Sequence, residues 1–351
     1  MSLAVVFSRS LYDPGFKRLH FGTLAFVGTV TLIEVIYIDA VLANGAADWQ
    51  YIPICLSLLA AGLAFEAMHQ RRLALTATAL GLLYMSLATN GLASSLMLFS
   101  GRSQPLIDPT LAGLDHALGF NWRAHVEWLA QYPTAVKSLR YAYLSIFYQP
   151  FILMYFMIMA QDAQRLYTFT NAMLLSMVIL TVMVFFFPAS GPYEHYHGGT
   201  LDLRGSHLVT ADNATEPLAL MRNGEPEQAL KAGGVGLVYF PSFHTICALI
   251  FIWAAWTTRI VKWVVLAANV LMLAATPMHG SHYLVDMIAG AAVAAASIWI
   301  VRRIVRSAPP SPAPSFGSRH HASADARHAP PRTEASPGAG LQQQAVVRET
   351  P

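Results

Sequence analysis

Two short stretches carry polar residues in otherwise apolar surroundings. "GSHYLVDMIAG" places His282 and Asp286 four residues apart, and "FPSFHT", some forty residues earlier, places Pro241, Ser242 and His244 at the head of another apolar run. A spacing of four puts an imidazole and a carboxylate on one helix face. The carboxylate then accepts the proton of one ring nitrogen and leaves the other free to attack or to take a proton. Each histidine also lies within about one turn of a helix start. Unpaired N–H groups and a partial positive charge make such a start a ready site for phosphate, and they keep imidazole neutral. A lone histidine at a span end is ordinarily just an interfacial residue. Two of them on one side, with a serine and an aspartate, predict a shared active site. The rival chemistry is a metal held by His279, His282, Asp286 and His244. The serine and the two helix starts suit phosphate better, so no metal and no cofactor is expected.

The elements that must position these residues are membrane helices. The 351-residue chain is 55% hydrophobic and only 12% charged, about half the charged share of a soluble domain. Its mean hydropathy is +0.45. Apolar blocks lie near 21–43, 51–68, 73–99, 141–160, 171–188, 239–257, 261–277 and 282–304, each near the roughly 20 residues that cross a bilayer. The fold class is therefore all-α, a polytopic integral membrane protein with about eight spans. The net charge of +3 forms no nucleic-acid patch. Cys55 and Cys247 fall in separate spans and predict packing, not a disulfide. The first apolar block is long for a leader and contains Glu34 and Asp39, so it reads as a retained span.

With eight spans, Arg9, Lys17, Arg18, Arg71, Arg72, Arg165, Arg259, Lys262, Arg302, Arg303 and Arg306 all fall on one side. Basic residues mark the cytoplasmic side. Both termini are then cytoplasmic and both motifs external, on the periplasmic side if the membrane is a bacterial inner membrane. Residues 1–20 form an N-terminal segment, 21–306 the transmembrane catalytic domain with its motifs in 100–300, and 307–351 a disordered Pro-, Ala-, Ser- and His-rich tail. The stretch 100–140 spaces its apolar residues as amphipathic helices lying in the interface.

"FPSFHT" followed by "GSHYLVDMIAG" resembles the type 2 phosphatidic acid phosphatase superfamily, and more narrowly its inositol phosphorylceramide synthase-like branch with bacterial members. "DPTLAGLDHALGFNW", "YAYLSIFYQP", "FPASGPY" and "LALMRNG…GVGLVYFPSFHT" extend the likeness over about 100–300. The resemblance implies a six-helix phosphatase-type bundle acting on a phosphate ester of a phospholipid or polyprenyl phosphate. It implies His282 as the nucleophile that forms a phosphohistidine, with Asp286 orienting it. His244 would be the acid that protonates the leaving alcohol, and Ser242, Tyr283 and backbone N–H groups would lie around the phosphate. The phosphoryl group then passes to water or to an alcohol acceptor.

The chain departs from the broad family where that family carries cations. Thr276 stands six residues before His282, "FPASGPY" has no basic residue, and Phe243 replaces the usual glycine. Phosphotransfer or diester chemistry is therefore expected ahead of simple monoester hydrolysis. Developing charge still needs a partner. The candidates are Arg222 first, then Arg140, with Lys137, Lys231, Arg204, His195, His197 and His279 behind them. Gln149 reads as an interhelical hydrogen bond. The alternatives are a proton-coupled transporter that uses His282 and Asp286 as a relay, or a non-catalytic member of the fold.

Overall fold

A computed structural model of the chain describes residues 51–68, 71–160, 162–197, 218, 220, 222–225, 228 and 238–306. The expected first span, the tail, Lys231 and Arg204 lie outside these residues. The described residues form helices and turns: α1 (Tyr51–Ala67), α2 (Arg71–Ser103), α3 (Asp108–Ala117), α4 (Trp122–Ala130), α5 (Pro133–Leu144), α6 (Gln149–Met159), α7 (Ala163–Phe186), α8 (Pro192–His197), α9 (Phe243–Ala255), α10 (Val261–His279) and α11 (Leu284–Arg306). Local chemistry sets many of the starts. Asn121, Asp162 and Ser242 cap α4, α7 and α9 with side-chain oxygens, and prolines open α3, α5 and α6.

Three of these helices are long and apolar enough to cross a membrane: Ala163–Phe186, Val261–His279 and Leu284–Ile304. Pro133–Phe147 and Gln149–Met159 pass together as a fourth span bent by 51°. Among the described residues, these three or four are the spans that length and composition alone qualify. Phe243–Ala255 is one of the shorter apolar helices, because its N-terminal motif is a turn and Trp256 ends it. The block at 141–160 is interrupted by the 3-10 turn Ser145–Phe147, followed by Pro150 in the first turn of α6.

The core lies where α7, α9, α10 and α11 pack together, α2 covering α7 and α5 covering α10. Phe169, Met177, Leu180, Ile246, Phe251, Met272 and Tyr283 are buried there. Gln149 bridges helices as expected, accepting from Asn269 Nδ2 at 2.6 Å. At one end of the bundle Arg165 donates to the Ala254 carbonyl at 2.6 Å and to that of Trp253, closing the carboxyl end of α9. Arg259, Lys262, Arg302 and Arg303 belong to the same end. Both motifs lie at the other end.

A second buried cluster, Trp122, Val126, Leu129, Val136, Tyr193 and Met278, packs the short helices of 108–144 against that end. The Trp122 indole donates to the Pro277 carbonyl at 2.7 Å. It supplies the last turn of α10 with a partner that the ending helix no longer provides.

Candidate active site

The two motifs are laced through their backbones. Ser242 N–H donates to the Asp286 carbonyl at 3.0 Å, so the starts of α9 and α11 touch main chain to main chain. Gly290, one turn beyond Asp286, makes this possible, since a Cβ there would sit 2.6 Å from the Ser242 carbonyl oxygen. Gly280 is equally confined: a Cβ there would meet His282 Cδ2 at 2.7 Å and Tyr143 Oη at 2.9 Å. The two glycines that bracket "GSHYLVDMIAG" thus permit the close approach that brings the motifs together.

His282 Nδ1 lies 3.4 Å from Asp286 Oδ2. That contact is longer than a tight hydrogen bond. The sequence spacing implied one helix face, but α11 begins at Leu284, so His282 precedes the helix. Asp286 is its third residue and turns back to accept Tyr283 N–H at 2.8 Å, as in half of a capping box. The same oxygen thus faces both the helix start and the imidazole, while Asp286 Oδ1 is buried with no hydrogen-bond partner. In the 280–283 link between spans, burial pushes the His282 imidazole down to about 4, against a hydrogen bond to the Tyr239 backbone.

His244 lies in the first turn of α9, half-buried, with Nε2 enclosed and without a hydrogen-bond partner. Its ring stacks on Tyr143 with centroids 3.7 Å apart and planes 13° apart, and it lies close enough to His282 for the two to feel each other's charge. Ser242 Oγ accepts from Thr245 N–H at 3.4 Å and from Thr245 Oγ1 at 3.2 Å, leaving its own proton for another acceptor. Tyr283 is fully buried and its hydroxyl donates to Asp108 Oδ1 at 3.2 Å, so that hydroxyl is engaged within the protein.

Two carboxylates that sequence reasoning passed over hold the site in place. Asp115 accepts Leu284 N–H and Val285 N–H, each at 2.9 Å, clamping the first turn of α11. Asp108 accepts Ser190 N–H at 2.9 Å and Gly191 N–H at 2.8 Å, anchoring "FPASGPY". Burial raises the pKa of both, and those backbone bonds work against it. The detectable signal was their spacing of seven within "DPTLAGLDHA", which puts two acids on one face of an otherwise amphipathic helix. The amino end expected to bind phosphate at α11 is thus already served by carboxylates. The N–H groups of Phe243 and His244, in the first turn of α9, have no partner within their helix. Asp115→Ala is expected to cost about 2 kcal/mol by stranding two N–H groups. It would read as a lower thermal inactivation midpoint in detergent; an unchanged midpoint would contradict the clamp.

The expected cations separate. Arg222 donates to the carbonyls of Gly101 at 2.8 Å and Gln104 at 3.1 Å, capping the carboxyl end of α2. Lys137 is exposed, and His195 packs edge-on to Tyr283 at 6.4 Å; the His197 side chain lies outside the described residues. His279 Nε2 lies 3.0 Å from the Val136 carbonyl. Arg140, half-buried, shares a face of α5 with Val136 and Tyr143 and lies near enough to His279 to act on its charge. Thr276 turns its hydroxyl to the Met272 carbonyl of its own helix at 2.8 Å. No group of three or more His, Cys, Asp or Glu side chains among the described residues could hold a metal.

No curated protein and no solved structure matches the chain. A family model described as the PAP2 superfamily matches residues 109–300, a range that includes both motifs, Asp115 and the whole of α5. That is more than half of the chain, and phosphatase or phosphotransferase activity on phosphate esters goes with it. The chain belongs to the PAP2 superfamily.

Proposed function

We propose that this chain is a membrane phosphotransferase or phosphatase that acts on a lipid phosphate ester through a phosphohistidine on His282. The observation that carries the reading is the backbone lacing of Ser242 to Asp286, which puts two histidines from separate motifs beside each other. In the first step the unprotonated ring nitrogen of His282 attacks phosphorus. The bond from phosphorus to the leaving oxygen breaks, and that oxygen takes a proton from the His244 imidazolium. In the second step neutral His244 removes a proton from water or an alcohol, whose oxygen attacks phosphorus as the P–N bond breaks. Asp286 accepts the Nδ1 proton of His282 throughout. Arg140, the Ser242 hydroxyl and the Phe243 and His244 N–H groups offset charge on the phosphoryl oxygens.

The scarcity of cations at this site favours the inositol phosphorylceramide synthase-like branch, and with it transfer of the phosphoryl group to an alcohol. The proposed setting is a bacterial inner membrane crossed by about eight spans, with the motifs external and the basic end of the bundle cytoplasmic. The segregation of Arg165, Arg259, Lys262, Arg302 and Arg303 away from both motifs supports that orientation.

The test incubates purified protein with labelled phospholipids, with and without inositol. Free phosphate identifies a phosphatase, and a new labelled lipid identifies a transferase. If no phosphate ester turns over while His282-dependent proton flux appears in vesicles, the chain is a transporter and this reading fails.

A further inference from the structure

We propose that Tyr143 is a positioning residue whose ring sets the angle at which His244 delivers its proton; the inference rests on the reading above. Three observations converge on this ring. It lies flat against His244, with centroids 3.7 Å apart and planes 13° apart. Its hydroxyl reaches Gly280 beside the His282 ring. It also leans on His279 at 5.9 Å and 35°. Tyr143 is itself buried and belongs to α5, a helix held to the site by the His279–Val136 contact.

His244 needs such a support. Its Nε2 has no hydrogen-bond partner, so no polar contact at that atom fixes the direction in which it points. A flat stacking surface removes rotation about the side chain and leaves the nitrogen pointed towards the leaving oxygen. A ring face held this close and this nearly parallel favours one orientation of the imidazole. The ring face does this, not the hydroxyl, so phenylalanine serves as well.

Proton delivery matters only when the leaving oxygen is a poor leaving group. Alkyl oxygens need the acid, whereas a 4-nitrophenolate departs without it. The experiment therefore measures two probe pairs on the full chain in detergent: decyl phosphate against 4-nitrophenyl phosphate, and didecyl phosphate against decyl 4-nitrophenyl phosphate. Tyr143→Leu and Tyr143→Met are expected to slow the alkyl probe about 10- to 100-fold more than the aryl probe, part of the 10²–10⁴ that general acid catalysis contributes. Tyr143→Phe is expected to restore the parental ratio. Because the ratio is taken within each variant, loss of folded protein cancels.

Equal slowing of both probes in the Leu and Met variants would overturn the positioning role. So would failure of phenylalanine to restore the ratio. A parent chain that turns over none of the four probes, nor the labelled phospholipids, would sink the functional reading itself and this inference with it.

Discussion

His282→Ala is expected to slow phosphate-ester turnover by about 10⁴-fold or more, since the step that would form a covalent intermediate loses its nucleophile. Substrate binding should survive, because the phosphate contacts proposed here come from α9 and α5. The decrease should therefore appear in kcat with little change in KM. Burial that holds the His282 imidazole at about 4 also sets a pH signature. The attacking nitrogen must be unprotonated, and with the pKa depressed the neutral ring dominates down to about pH 4. The rate should thus fall on the acid side only as pH drops through about 4, not near the 6.5 of an open imidazole. Stability follows the same group. The unfolded chain takes up a proton near 6.5 that the folded chain refuses until about 4, so stability declines as pH falls between those values. A kcat/KM profile with an acid limb at 6.5, or a His282→Ala chain as active as the parent, would remove His282 from the proposed role.

Gly290→Ala is the second large effect expected. The added methyl would lie 2.6 Å from the Ser242 carbonyl oxygen and 3.2 Å from Thr245 Cβ, against backbone that has no rotamer through which to yield. The starts of α9 and α11 must move apart by about 0.5–1 Å, enough to cost about 10²-fold in rate when reacting groups lose alignment. Overpacking of this kind adds about 1–3 kcal/mol of destabilisation. Gly113→Ala provides the control, since a Cβ there meets nothing within 4 Å. Parental turnover in Gly290→Ala would show that the lacing of the two motifs tolerates separation.

The residues proposed to react were easier to read from the sequence than the residues that hold them. His244, His282 and Asp286 stand out because an apolar span makes each of them expensive, and fixed spacing ties them to helix starts. The α-helical class and its membrane-length helices follow from the same apolar runs. Helix bounds were less legible, because an apolar run does not reveal that Ser145–Phe147 breaks one helix or that α9 starts only at Phe243. Tyr143, Asp108 and Asp115 act on residues about 80 to 175 positions away, and such distances leave no local periodicity to detect. Arg222 shows the converse. It sits in a motif-like stretch, yet two carbonyls of the α2 end take up its guanidinium. Arg140, the second candidate, lies on α5 near enough to His279 to act on its charge.

The Asp115 clamp also bears on how the protein is made. Its partners, Leu284 N–H and Val285 N–H, lie 169 and 170 residues further along the chain. While the earlier spans are inserted this carboxylate has no amides to hold, and the final span enters with its amino end still unsatisfied. Docking of α11 supplies both needs in one event. The end that holds both motifs therefore closes only after synthesis has passed Val285, so a chain cut short of it carries the first histidine motif without the second beside it.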